Sequence, residues 1–238
     1  MPTTLMPGEA ADPYCLREGE AAALLAGHPW RRFAVLGDSI AEGLGEPAEG
    51  YPDQPWTQRV ADELADGRPD FAYHNLGLRD TPSERVRAEQ LPRALELRPD
   101  LALVACGGFN ALHRGYDPQA VRADLLAIAG ALREAGAQVI TVSMFDGTHN
   151  PVLPQEFREL LRPRLLDLAE RTREVAARLD TVHVELLGHP ATPDADMYAA
   201  DGRHGTRRSH AIAAAETVRT LGAWLRRPPG DDAPRRPQ

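Results

Sequence analysis

The sequence predicts an α/β fold in three layers: a doubly wound sheet of five parallel strands with helices on both faces. Two observations predict it. Short apolar runs alternate with longer segments of helical spacing from residue 33 to residue 225. Several of the runs are apolar at successive positions, as in strands buried on both faces. A repeated strand–helix order with right-handed crossovers then gives an α/β/α sandwich.

Each element has its own signal. Phe33-Ala-Val-Leu36 is the first strand, stopped by Gly37. Trp56, Val60 and Leu64 share one face of a helix over 56–65. Residues 71–76 read as the second strand. Thr81-Pro82-Ser83-Glu84 reads as a helix start, with Thr as N-cap, Pro at N1 and Glu at N3. That helix runs to about Leu97, before Pro99. The unbroken apolar run 101–105 is the third strand. Val121, Leu125, Ile128 and Leu132 keep helical register over 118–134. Residues 138–145 form the fourth strand, 154–179 a long helix open to a break near Pro163, 181–186 the fifth strand and 206–225 the closing helix. The domain is expected to span 31–227. Residues 1–30 read as an extension, partly helical over 16–25 or disordered, with nothing to bury over 1–14. Residues 228–238, rich in Pro, Gly, Asp and Arg, read as a disordered tail.

Composition narrows the function classes. The chain has 238 residues and 42% hydrophobic residues, enough for one sizeable α/β domain. Its net charge of −8 argues against nucleic acid as a partner, since phosphate binding needs a basic face. All 27 basic residues are Arg, which removes lysine Schiff-base and P-loop chemistry. Two cysteines, Cys15 and Cys106, make no disulfide framework and fit a reducing compartment. No run of apolar residues is long enough for a membrane span. The first residues lack the basic and apolar regions of a secretory signal, so a cytoplasmic location is expected.

In an open sheet of this kind the site lies beyond the carboxyl ends of the strands. Three loops there carry chemistry. Gly37-Asp38-Ser39 puts a serine at the start of a helix, among free backbone N–H groups that suit an oxyanion; an ordinary N-cap has the same look. Gly107-Gly108-Phe109-Asn110 offers close backbone approach and an amide donor, or a common turn asparagine. Asp201 and His204, three residues apart, allow a carboxylate to orient an imidazole as general base; a surface loop and a metal site of Asp201, His204 and His210 are the alternatives. Asp38, Gly108, Arg79, Arg114, Arg203, His113 and His149 lie at the expected rim as candidate substrate contacts. His28 and His74 read as surface or strand-end groups. Cys106 reads as a small buried hydrophobe rather than a thiol nucleophile.

Taken in this order, the motifs resemble the SGNH (GDSL-type) hydrolase family over roughly 33–225. The resemblance implies a flavodoxin-like strand order of 2-1-3-4-5 and a Ser-His-Asp mechanism. It implies Ser39 as nucleophile, His204 as base and Asp201 as its orienting carboxylate. The oxyanion hole would comprise the N–H of Ser39, the N–H of Asp80 and the side chain of Asn110. No cofactor or metal is implied. Three positions depart from the family pattern: Asp80 stands where Gly is usual, Ala111 where Asp follows the Asn, and Gly205 where Pro follows the His. At Asp80 a positive φ is expected, with the N–H facing the site and the carboxylate turned toward Arg79, Arg85 or helix N–H groups. The expected function is a serine esterase acting on a small-molecule ester. An acyltransferase using the same acyl-enzyme is the alternative, and an inactive binding module of this fold the more distant one.

Overall fold

The computed structural model describes residues 7–227. Five strands form the main sheet: β1 (Arg32–Gly37), β2 (Ala72–Asn75), β3 (Leu101–Ala105), β4 (Gln138–Ser143) and β5 (Val182–Glu185). They run in the order β2-β1-β3-β4-β5, and every neighbouring pair is parallel. The three central strands are buried almost throughout, whereas β2 and β5 at the edges are partly exposed. This is why the central runs are continuously apolar.

Alternate strand residues feed two cores. Phe33, Val35, Leu103 and Ile140 point to one face, with Val60 and Leu64 of α1 (Trp56–Ala65) and residues from the closing helix. Leu36, Val104 and Val139 point to the other, with Val86, Leu125, Ile128 and Val175. That second layer consists of α2 (83–96), α3 (Pro118–Glu134) and α4 (Gln155–Leu179); the closing helix α5 is Arg207–Leu225. Trp30 and Trp56 are buried in the first core.

Some elements differ from the sequence reading. The 83–96 helix starts at Ser83, and Thr81 does not cap it: the Thr81 hydroxyl donates to Arg79 O. Midway it opens into a π-turn, Val86–Gln90, just before Pro92, whose ring and missing N–H disfavour regular α-turns. In contrast, α4 passes through Pro163 as one helix. The expected 16–25 helix shortens to Glu20–Leu24, because Gly19 turns left-handed at φ 74. His28 is buried, its Nε2 donating to Leu64 O and its ring stacking on Trp30.

The larger correction concerns the extension. From residue 8 it packs into the domain. Glu9 pairs with Arg59 at 2.7 Å, both nearly buried. Asp12 accepts from Tyr51 and Arg208, and Cys15 is fully buried beside Met197 and Ile212. Polar residues here bury by pairing, which apolar patterning does not reveal. The disordered tail expected at 228–238 lies outside the described residues, as do residues 1–6.

Candidate active site

The Ser39 loop follows from close strand packing. A Cβ on Gly37 would come within 1.8 Å of Ala105 O in β3, and Gly37 has φ +147. The chain then turns through a short helix, Ser39–Glu42, ended by Gly43 at φ 86. Asp38 caps this helix and holds the next loop as well. Its Oδ1 accepts from Ile40 N, and its Oδ2 accepts from Phe109 N, both at 3.1 Å. Burial pushes the Asp38 carboxyl up to about 6, against the opposing pull of the Ile40, Phe109 and Gly108 N–H groups and of His204.

A second loop packs against the first. Asn75 Nδ2 donates to Ala41 O, and its Oδ1 accepts from Gly77 N, each at 2.8 Å. Arg79 N donates to Glu42 Oε2 at 2.7 Å. Asp80 follows with φ 56, the left-handed conformation expected from the family's Gly. Its side chain is exposed, but not paired as expected: Arg79 goes to Glu42 and Arg85 to Glu89. The backbone N–H groups of Ser39 and Asp80 have no acceptor among the described residues.

The third loop brings His204. Asp201 Oδ1 accepts from the N–H of Arg203 and of His204, at 2.9 and 3.0 Å, and its Oδ2 lies 2.6 Å from His204 Nδ1. Burial pushes the Asp201 carboxyl up, but these donors outweigh it and hold it below its ordinary range. An ionised carboxylate accepts, so Nδ1 carries the proton and Nε2 keeps its lone pair. Two short strands, Gly45–Glu46 and Gly205–Thr206, pair in parallel and tie this loop to the one after Ser39. Gly205 also bridges Tyr198, and a Cβ there would strike Ser209 Oγ at 2.0 Å. The departure from Pro to Gly thus has a local cause.

His210 belongs to the same clamp. Its Nδ1 accepts from Trp56 N at 3.1 Å, and its Nε2 is 3.2 Å from Leu44 O. Both nitrogens are committed and the ring is buried, so it is unsuited to act as a base. Burial, with Arg207 adding to it, pushes its pKa down to about 3. Among the described residues no three His, Cys, Asp or Glu side chains are grouped to hold a metal ion.

Ser39, Asp80, Asp201 and His204 line one cavity of about 580 Å³, together with Asp38, Gly108, Arg79 and Arg203. No hydrogen bond joins Ser39 Oγ to His204 among the described residues. Asn110 is not among the residues that line this cavity: its Oδ1 accepts from Ser83 N at 2.9 Å and its Nδ2 reaches Glu84 at 3.4 Å. Asn110 therefore does the capping expected of Thr81, and Phe109 lines the cavity in its place. His113 faces Phe109 O, and His149 lies 3.8 Å from Asp146; both are exposed and outside the lining, as is Arg114. Cys106 is buried, and desolvation holds its thiol well above the usual range. The sequence reading missed the apolar wall of Leu161 and Leu165, a pair spaced by one helical turn on α4.

A doubly wound sheet with a serine, a histidine and an aspartate converging beyond its strand ends is the build of an SGNH-type hydrolase. The GDSL-like lipase/acylhydrolase family model matches residues 35–212, and the chain belongs to that family. The chain is 26% identical to an arylesterase of Vibrio mimicus over 114 residues, 48% of this chain and 54% of that protein, so the match spans about half of the relative. Among solved structures it resembles TesA, with 24% identity, a TM-score of 0.60 and coverage of 80% of this chain and 97% of that one. A lipase/acylhydrolase from Enterococcus faecalis gives 20% identity and a TM-score of 0.63 over 82% and 96% of the two chains. Axe2, an acetylxylan esterase from Geobacillus stearothermophilus, gives 15% and 0.63 over 81% and 94%. These likenesses show a common fold.

Proposed function

We propose that the chain hydrolyses a small-molecule carboxylic ester through an acyl-enzyme on Ser39. His204 Nε2 takes the Ser39 proton, and Ser39 Oγ attacks the acyl carbon. The N–H groups of Ser39 and Asp80 hold the oxyanion, without a side-chain donor from Asn110. His204 returns its proton to the leaving alcohol, and Asp201 stabilises the imidazolium. Water, deprotonated by His204, then releases the acid. The hydrogen bond between Ser39 and His204 forms in the complex with substrate.

The observation that supports this most is the shared cavity. It collects a serine with two free N–H groups beside it and a histidine whose other nitrogen faces an ionised carboxylate. The test is the rate of p-nitrophenyl ester hydrolysis by Ser39→Ala and His204→Ala. Each variant is expected to fold normally and to lose about 10⁴-fold or more in kcat. Wild-type rates in Ser39→Ala would overturn the mechanism.

A further inference from the structure

We infer that the acyl half of the substrate is an unbranched apolar chain of medium length, about eight to twelve carbons; this rests on the Ser39 reading above. The direction of the chain follows from the proton path. His204 must protonate the leaving oxygen, so the alcohol lies on the His204 side. That side is polar and open: Asp201 is 45% exposed and Arg203 is exposed. The acyl group is left the direction of the cavity's apolar floor, at the strand ends.

That direction runs across the sheet. The cavity passes Ser39 after β1, Gly108 and Leu112 after β3, Met144 and Phe145 after β4, and Leu186 after β5. From β1 to β5 are three inter-strand spacings of ~4.8 Å, about 14 Å in all. A saturated chain advances about 1.25 Å per bond of ~1.5 Å along its zigzag, so roughly eleven carbons span that length.

The walls suit hydrocarbon. The only lining residues from α4 are Leu161 and Leu165, among the described residues. Asn150, polar and lining, is already engaged: its Nδ2 donates to Ala199 O and its Oδ1 accepts from Val152 N. A hydroxylated acyl group would find few free partners there and would lose its hydration. An acetyl group would leave most of the 580 Å³ unfilled. Met144 adds an adaptable wall, packed on Gly108 and backed by a second small void beside Cys106 and Leu168.

The experiment compares kcat/KM for p-nitrophenyl acetate, butanoate, octanoate, decanoate and hexadecanoate, below their aggregation limits. The expected rise is about fourfold per added CH₂ up to about eight to twelve carbons, followed by a fall. A series that is flat, or fastest with acetate, would overturn the proposal. In Leu165→Trp the ratio of decanoate to acetate should fall roughly tenfold or more, because the new ring fills the path of the chain; an unchanged ratio would count against it. The wild-type series decides the matter even where that variant fails to fold. Ser39→Ala separates the two readings: loss of turnover on every ester supports the catalytic reading whichever chain is preferred, while retained turnover removes that reading itself.

Discussion

At Asp201 one carboxylate serves three donors, two of them backbone N–H groups of its own turn. Asp201→Asn keeps the size but can present an N–H to His204 and favour the wrong tautomer. A loss in kcat of about 10²–10⁴ is expected, the lower end reflecting partial exposure of the carboxylate to water. Full activity in that variant would show that His204 needs no orienting partner. Asp80 is a different case, because its contribution is a backbone N–H and its side chain is exposed. Asp80→Gly keeps that N–H and suits φ 56. Its kcat/KM should stay within about tenfold of wild type, a change of ~1.4 kcal/mol. A hundredfold gain would mean that the carboxylate faces the oxyanion. The meeting of Ser39, Asp201 and His204 at one cavity was legible in the sequence because each stands in a short motif in a loop on the carboxyl side of the sheet. The direction of Asn110 was not, because it depends on Ser83 N, at the start of a helix 27 residues away.

Among the elements, the strands and long helices were legible from periodicity alone. The two-residue pairing of Gly45–Glu46 with Gly205–Thr206 was not, since it is too short to show alternation and joins segments at opposite ends of the domain. It is braced by His210, buried between Trp56 N and Leu44 O. That brace has a pH signature. The unfolded His210 titrates near 6.5 and the folded one near 3, so the unfolded chain binds the extra proton between those values. The resulting stability is present above 6.5 and is lost as pH falls toward 3. Asp38, raised from 3.8 to about 6, acts in the opposite sense between those two values, since the folded chain binds its proton more tightly. His210→Gln should therefore flatten the loss of Tm relative to wild type between pH 6.5 and 4, while lowering Tm at neutral pH. An unchanged slope would remove His210 as the titrating group.

For the whole molecule, the domain begins earlier than patterning suggests. Glu9 and Arg59 are buried with side-chain exposures of 5% and 6% and lie 50 residues apart. An ion pair of this kind leaves no mark on apolar spacing, so the extension read as having nothing to bury. Removing one partner strands the other charge in the interior. Glu9→Ala is expected to cost about 3–5 kcal/mol of stability by chemical denaturation. A cost below ~1 kcal/mol would return residues 8–15 to the status of a loose extension.

That Ser39 is the nucleophile of an ester hydrolase is tested most directly by mapping the adduct of a fluorophosphonate. One phosphonyl group per chain is expected, on the peptide that carries Ser39. Labelling should be absent in Ser39→Ala and strongly slowed in His204→Ala. A folded wild-type chain that takes no label, or an adduct on Ser83, Ser143 or Ser209, would contradict it.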